Sequence, residues 1–199
     1  MRRKLVILFF LFVLVSCRTR SLPPSGYIRW VRENKALLTE RKEIGELFYE
    51  AEYTPVDYLV LRDLQDSATI TREMFERQKK NREELLYFTL RVGMCRKQGD
   101  PMYYRSSGNE EYAMRVKYFS FDMQNDLHLI TASDSLNCLL HIFERDYGLS
   151  GMLTFNLSFK NTGVPGDMTL IYDDAVYNHG IVKLTFEKKK LRKIPQIKF

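Results

Sequence analysis

Residues that carry chemistry are scarce in this 199-residue chain, which has three cysteines, three histidines and one tryptophan. No H-E-x-x-H pair occurs, and no stretch has the ligand spacing of an EF-hand loop, which argues against the common metal sites. There is no glycine-rich phosphate loop. The densest glycine stretch, Gly163-Val-Pro-Gly166, reads as a β-turn, and Gly148-Leu-Ser-Gly151 lacks the spacing of a G-x-S-x-G nucleophile elbow. Glu83–Glu84 and Glu110–Glu111 are adjacent on expected helices, so their carboxylates diverge instead of converging on one bond. A nucleophilic Cys95 would need a positioned histidine, for which the sequence offers no sign. Nor is there an internal repeat. The longest apolar run, Leu5–Val15, has 11 residues. A helix of that length covers roughly 16 Å, about half of a bilayer core, too little for a transmembrane span.

That run is nevertheless the most informative feature present. It follows Met1-Arg2-Arg3-Lys4 and is closed by Ser16-Cys17. A basic start and a short apolar core form a secretory signal, with the cations held on the cytoplasmic side. Arg2-Arg3 lacks the flanking residues of a twin-arginine signal, so general secretion is expected. Leu14-Val15-Ser16-Cys17 resembles the lipobox of bacterial lipoproteins with a type II signal peptide. The resemblance implies diacylglycerol on the Cys17 thiol, cleavage before Cys17, and an acyl chain such as palmitate on the new amino end. No other cofactor is expected.

The expected organisation is a signal peptide over 1–16, a lipidated cysteine and tether over 17–26, and a single β-rich domain over 27–199. Cleavage leaves 183 residues, enough for one domain with a real core. Arg2, Arg3 and Lys4 leave with the leader, so the net charge of +6 halves to about +3. Nucleic acid is therefore not an expected partner. The remaining basic excess is local, in Lys188-Lys189-Lys190-Leu191-Arg192-Lys193, which fits either a solvated turn or anionic headgroups.

Along the mature chain, Pro23-Pro24 and Gly26 fit a tether. Tyr27–Arg32 reads as a first strand or short helix, Ile44–Tyr53 as a strand, and Val56–Leu61 as a second extended piece. The span Thr69–Leu86 reads as a surface helix capped by Asp66 or Ser67, with Glu73–Arg77 and Glu76–Lys80 as i,i+4 pairs. Leu85–Cys95 returns to strand. Ser107-Gly-Asn-Glu110 matches a capping box for a second helix carrying Tyr112, Ala113, Val116 and Phe119. Five strands follow: Asp126–Thr131, Leu136–Glu144, Met152–Phe159, Met168–Tyr172 and Ile181–Phe186. Alternation in Thr154–Phe159 puts Phe155, Leu157 and Phe159 on one buried face. The fold class is α+β, an antiparallel β-sandwich-like domain with two inserted helices.

Four sets of residues stand out as candidate sites. Cys95 and Cys138 could form a disulfide in an exported protein, or be separate core thiols. Asp173, Asp174 and His179, in a turn-rich segment with Asn178, could hold a cation, the other reading being a turn in which Asp and Asn bond their own backbone. His128 and His141 lie among leucines and read as sheet residues. Tyr103 and Tyr104 are loop aromatics that could stack on a glycan. The reading that best covers these features is a membrane-anchored envelope lipoprotein, a non-catalytic structural or assembly partner of a membrane complex. The alternatives are a glycan, peptidoglycan or small-ligand binding module, and a metal-dependent enzyme around Asp173, Asp174 and His179. The short arginine-rich start and small β-rich domain resemble envelope lipoproteins of Gram-negative bacteria. In their sorting rule Asp after the cysteine retains the protein in the inner membrane. Arg18 occupies that place, which implies the outer membrane, facing the periplasm, with the inner membrane or cell surface as alternatives.

Overall fold

The computed structural model describes residues 20–65, 69–96, 99–145, 151–163 and 166–199. The leader, Cys17, the cap candidates Asp66 and Ser67, and most of Gly148–Gly151 lie outside the described residues. The elements run β1 (Ser21–Leu22), α1 (Pro24–Glu33), β2 (Thr39–Ile44), β3 (Leu47–Thr54), α2 (Val56–Leu64), α3 (Arg72–Lys80), β4 (Leu85–Met94), α4 (Asn109–Lys117), β5 (Leu127–Ile130), β6 (Ser135–Asn137), β7 (Leu140–Glu144), β8 (Met152–Lys160), β9 (Met168–Asp174), β10 (Gly180–Phe186), α5 (Lys188–Leu191) and β11 (Gln196–Ile197).

Two antiparallel sheets face each other, one ordered β2-β3-β4-β8-β7 and the other β10-β9-β5-β6. Strand alternation decides what lies between them. From the first sheet come Leu47, Tyr49 and Ala51, then Phe88, Leu90 and Val92, then Leu153, Phe155, Leu157 and Phe159. The second contributes Leu127, Leu129, Leu170, Tyr172, Val182, Leu184 and Phe186. The α+β class, the sandwich-like arrangement and the shared buried face of Phe155, Leu157 and Phe159 are as expected. A second, smaller core is built by Tyr27, Val31, Leu38, Val60, Leu61, Leu64 and Phe75, where α1, α2 and α3 pack together and meet Ile194 and Ile197. Tyr53 and Leu191 touch both cores and join them.

Several local readings need correction. Val56–Leu64 is helical, not extended: Val60, Leu61 and Leu64 fall on one face and are buried, and packing overrides the β-branched bias of its valines. Of the two readings of Tyr27–Arg32, the short helix is the one that forms, within α1, which Pro24 opens from the first-turn position where its missing N–H costs nothing. Residues 21–26, expected as tether, are instead part of the fold, because Ser21–Leu22 pairs with Gln196–Ile197 and α1 begins at Pro24. The surface helix begins later than Thr69 and is capped by Thr71, whose hydroxyl accepts from the Met74 N–H. Leu136–Glu144 is two strands: the chain leaves the second sheet after β6, and β7 joins the first beside β8. The capping box does not form: Gly108 is the N-cap and has no side-chain cap, and only the reach-back half is present, with Glu111, not Glu110, accepting from both the N–H and the hydroxyl of Ser107. Helices α1, α2 and α5 add to the two anticipated.

One glycine pair shows how a sheet face is finished. A Cβ on Gly93 would come within 2.5 Å of the Phe48 ring directly across the ladder, so glycine lets that ring lie flat on the outer face. The Arg41 guanidinium then stacks 3.8 Å above the ring.

Candidate functional site

The polar groups that converge in this molecule lie inside the sandwich, at one end. Tyr49 points inward from β3 and its hydroxyl donates to Asp174 Oδ2 at 2.6 Å. A phenol has one proton, so the 2.8 Å contact between that oxygen and His179 Nδ1 requires the histidine to donate. Nδ1 therefore carries a hydrogen. Nε2 faces Gly45, the φ +60 residue of the two-residue loop between β2 and β3. The other Asp174 oxygen, Oδ1, accepts from the N–H groups of Val176 and Tyr177 at 3.1 and 3.0 Å, and the Tyr172 hydroxyl lies 3.4 Å away.

Asp174 is 2% exposed, so each of these donors offsets a real desolvation cost. The arrangement ties β3 of one sheet to the end of β9 in the other and to the turn that follows. Chemically it is a staple. Burial, reinforced by the hydrogen bond to Asp174, pushes the Tyr49 phenol far above its ordinary value, so it stays neutral. Burial does the same to Tyr172 and Tyr177.

A second buried centre adjoins it. Arg115, on α4 and 4% exposed, donates from Nη1 to the carbonyls of Pro101, Met102 and Tyr104, and from Nη2 to Glu111 at 2.5 Å. Its guanidinium lies 5.2 Å from the Tyr177 ring centre, and the Tyr177 hydroxyl donates to the Pro101 carbonyl at 2.9 Å. One arginine thus holds the loop before α4 in shape. The Ser107 backbone N–H, then its hydroxyl and Arg115, hold Glu111 below the usual carboxylate range.

The metal reading of Asp173, Asp174 and His179 does not survive this geometry. Successive residues of β9 face opposite ways, so Asp174 is buried while Asp173 is exposed on the outer face. Both Asp174 oxygens are already used by protein donors. Among the described residues no group of His, Cys, Asp and Glu is arranged to hold a metal ion. The turn reading is the better one, with Asp174 bonding its own backbone.

Tyr103 and Tyr104 also part company. Tyr103 is 56% exposed and stacks on Tyr112 at 4.8 Å, while Tyr104 turns inward against Tyr177, its hydroxyl buried without a hydrogen-bond partner among the described residues. They do not form one aromatic groove. Cys95 and Cys138 are both free. Cys95 follows β4 near Met152, whereas Leu139, next to Cys138, bonds the carbonyl of Ser158. Six positions along β8 separate these points, roughly 20 Å, far beyond disulfide reach. Burial pushes the Cys138 thiol up to about 11. His128 and His141 are sheet residues as expected: His128 bonds Asn137 on the outer face, and His141 stacks on Phe155.

Sequence reasoning missed Tyr49, Tyr172, Tyr177 and Arg115. Inward alternation from Leu47 could have placed Tyr49 in the core, but nothing local announces a partner 125 residues away.

β7 is the last strand of its sheet and carries Leu140 and Ile142 on the outer face, 47% and 49% exposed, with Leu139 beside them at 56%. A groove of about 380 Å³ runs from Leu140 and Glu144 across Asn156 and Tyr87 to Leu59 and Arg62 of α2. No family model, no curated protein and no solved structure matches the chain.

Proposed function

We propose that the chain is a lipid-anchored envelope protein that works by presenting a surface, as a non-catalytic assembly partner of a membrane complex. The β7 edge carries this reading. An edge strand offers unpaired backbone donors and acceptors, and proteins usually blunt such edges with charge or proline. Here the apolar exposed positions Leu139, Leu140 and Ile142 outnumber the one exposed charge of β7, Glu144, and lie next to a groove deep enough to take side chains from an added strand. The interior polar cluster supports the same view, since both oxygens of Asp174 and the Tyr49 hydroxyl are spent within the protein. The lipobox-like Leu14–Cys17 supports the anchor, and the Gram-negative resemblance and Arg18 favour the outer membrane.

A photo-crosslinking residue at Ile142 in the full-length protein, expressed in its native membrane, tests this. The expected result is one reproducible stoichiometric protein adduct, lost in a Leu140→Glu variant whose stability changes by no more than about 0.5 kcal/mol. Absence of any protein adduct from a lipidated, membrane-bound population would overturn the assembly role. Palmitate labelling that survives Cys17→Ser would overturn the anchor.

A further inference from the structure

We infer that the face around β11 is a docking surface for anionic lipid headgroups, which orients the domain on the membrane that holds its amino end. The inference rests on the lipid-anchor reading above. Its structural basis is the parallel pairing of β1 with β11. The Gln196 N–H bonds the Arg20 carbonyl at 2.9 Å, and the Lys198 N–H bonds the Leu22 carbonyl at 2.8 Å. Because the two strands run the same way, Arg20, three residues after Cys17, lies at the end of β11 that Arg192 and Lys193 lead into. The most basic segment of the chain is thereby placed where the anchor emerges, a juxtaposition 175 residues apart in register that the sequence does not reveal.

The charges there are free to act outward. Arg20, Arg192, Lys193 and Lys198 are all exposed, and none has an ion-pair partner among the described residues. The acids nearby are engaged: Glu187 pairs with Lys189, Glu40 with Lys190, and Asp167 accepts from the Lys188 N–H. The outer face of the first sheet contrasts with this, because its arginines Arg41 and Arg91 are matched to Glu43, Glu50 and Glu52.

Distance favours the membrane as the occupant. The four residues from Cys17 to Arg20 reach at most about 14 Å whatever path they take. Screening in physiological salt sets in over about 8 Å. An anchored chain therefore holds Arg20, and with it the near end of the strand paired beside it, close to the range at which headgroup charge is felt. With two or more acyl chains the anchor already prevents release, so the patch acts on orientation rather than on retention. Lys190 meets Glu40 on β2, and β7 lies four strands further across the sheet. At about 4.8 Å per strand, docking the basic face holds the apolar edge roughly 19 Å further along the sheet from the docked side.

Full-length lipidated protein is reconstituted in vesicles of pure phosphatidylcholine and in vesicles with about one-third phosphatidylglycerol, then treated with an amine-reactive label and read by mass spectrometry. Labelling of Lys193 and Lys198 should fall at least about fivefold in the anionic vesicles and recover in high salt, the equivalent of a single headgroup contact. Lys183, on the outer face of β10, should label equally in both. The charge reversal Arg20→Glu with Arg192→Glu, at two exposed positions, should abolish the contrast. Equal labelling in the two vesicles, or a contrast that persists in the variant, overturns the proposal. Protection in native membranes but not in phospholipid vesicles assigns the face to a protein and also overturns it. Flotation with pure phosphatidylcholine depends on the anchor alone, so a chain that fails to float counts against the anchor separately from the patch.

Discussion

The two ends of the sandwich interior are built on different principles. At one end Phe88 sits among Tyr53, Phe159 and Phe186, with ring centres 5.2 to 5.9 Å apart. At the other, about four residues further along β3 and β4, Tyr49 lies opposite Val92 and reaches Asp174 and His179. The first end is held by area and shape, which tolerate a different side chain of similar volume. The second is held by donors and acceptors that must each find a partner, and it tolerates almost nothing. The polar end therefore specifies how the two sheets sit, while the apolar end supplies bulk stabilisation.

The largest expected effect is alkaline and is concentrated at the polar end. Burial raises the phenols of Tyr49, Tyr118, Tyr172 and Tyr177 at the polar end, and of Tyr27 and Tyr53 near the helices, Tyr53 to about 12. The folded values lie above the unfolded value near 10, so the unfolded chain loses these protons first. Stability is therefore complete below pH 10 and is lost as pH rises through 10 toward the folded values. In a titration followed by phenolate absorbance, these six tyrosines should stay silent and then appear together with loss of circular dichroism. Reversible ionisation of all 12 tyrosines in a folded protein would show that the interior is wetter than described.

Next in size is Arg115. Arg115→Met keeps most of the volume but strips three carbonyls and Glu111 of a buried cation. The expected loss is about 3–5 kcal/mol in chemical denaturation, with faster proteolysis in the loop before α4. Arg115→Lys should recover little of it, because an ammonium cannot fork to several acceptors as a guanidinium does. Full stability in Arg115→Met would mean the loop is held by Tyr177 and its neighbours alone.

What was legible in the sequence divides along the same line. Periodicity found β4, β5, β8, β9 and β10 to within a few residues, because each has one apolar and one polar face. Period-2 logic failed where packing came from elsewhere in the chain. α2 looked extended because its valines favour strands, yet its buried face is made by α1 and α3. The break at Cys138-Leu139 is invisible locally because both halves are strand-like. The site was legible only in part: Asp174 and His179 stand out in the sequence as a turn or a cation site, and the turn is what forms. Their real partner, Tyr49, is a long-range contact without a local signature. Asp173 does not belong with them, because neighbours in sequence face opposite ways in a strand.

The smallest effect is the sharpest test of the two ends, and it uses conservative changes only. Asp174→Asn preserves shape but replaces one acceptor oxygen by an N–H₂ group. Oδ1 and Oδ2 between them take hydrogen from Tyr49, Val176 and Tyr177, so an amide must turn its donors toward at least one donor. The expected cost is about 2–3 kcal/mol, from a buried group left unpaired and the loss of charge-assisted bonds. Phe88→Leu is a comparably mild change at the other end and should cost less than about 1.5 kcal/mol, because neighbouring rings can close over the smaller side chain. The difference, read as denaturation midpoints at equal slope, measures how much more exacting the polar end is. Equal losses at the two positions would remove the distinction and make Asp174 one more packed side chain.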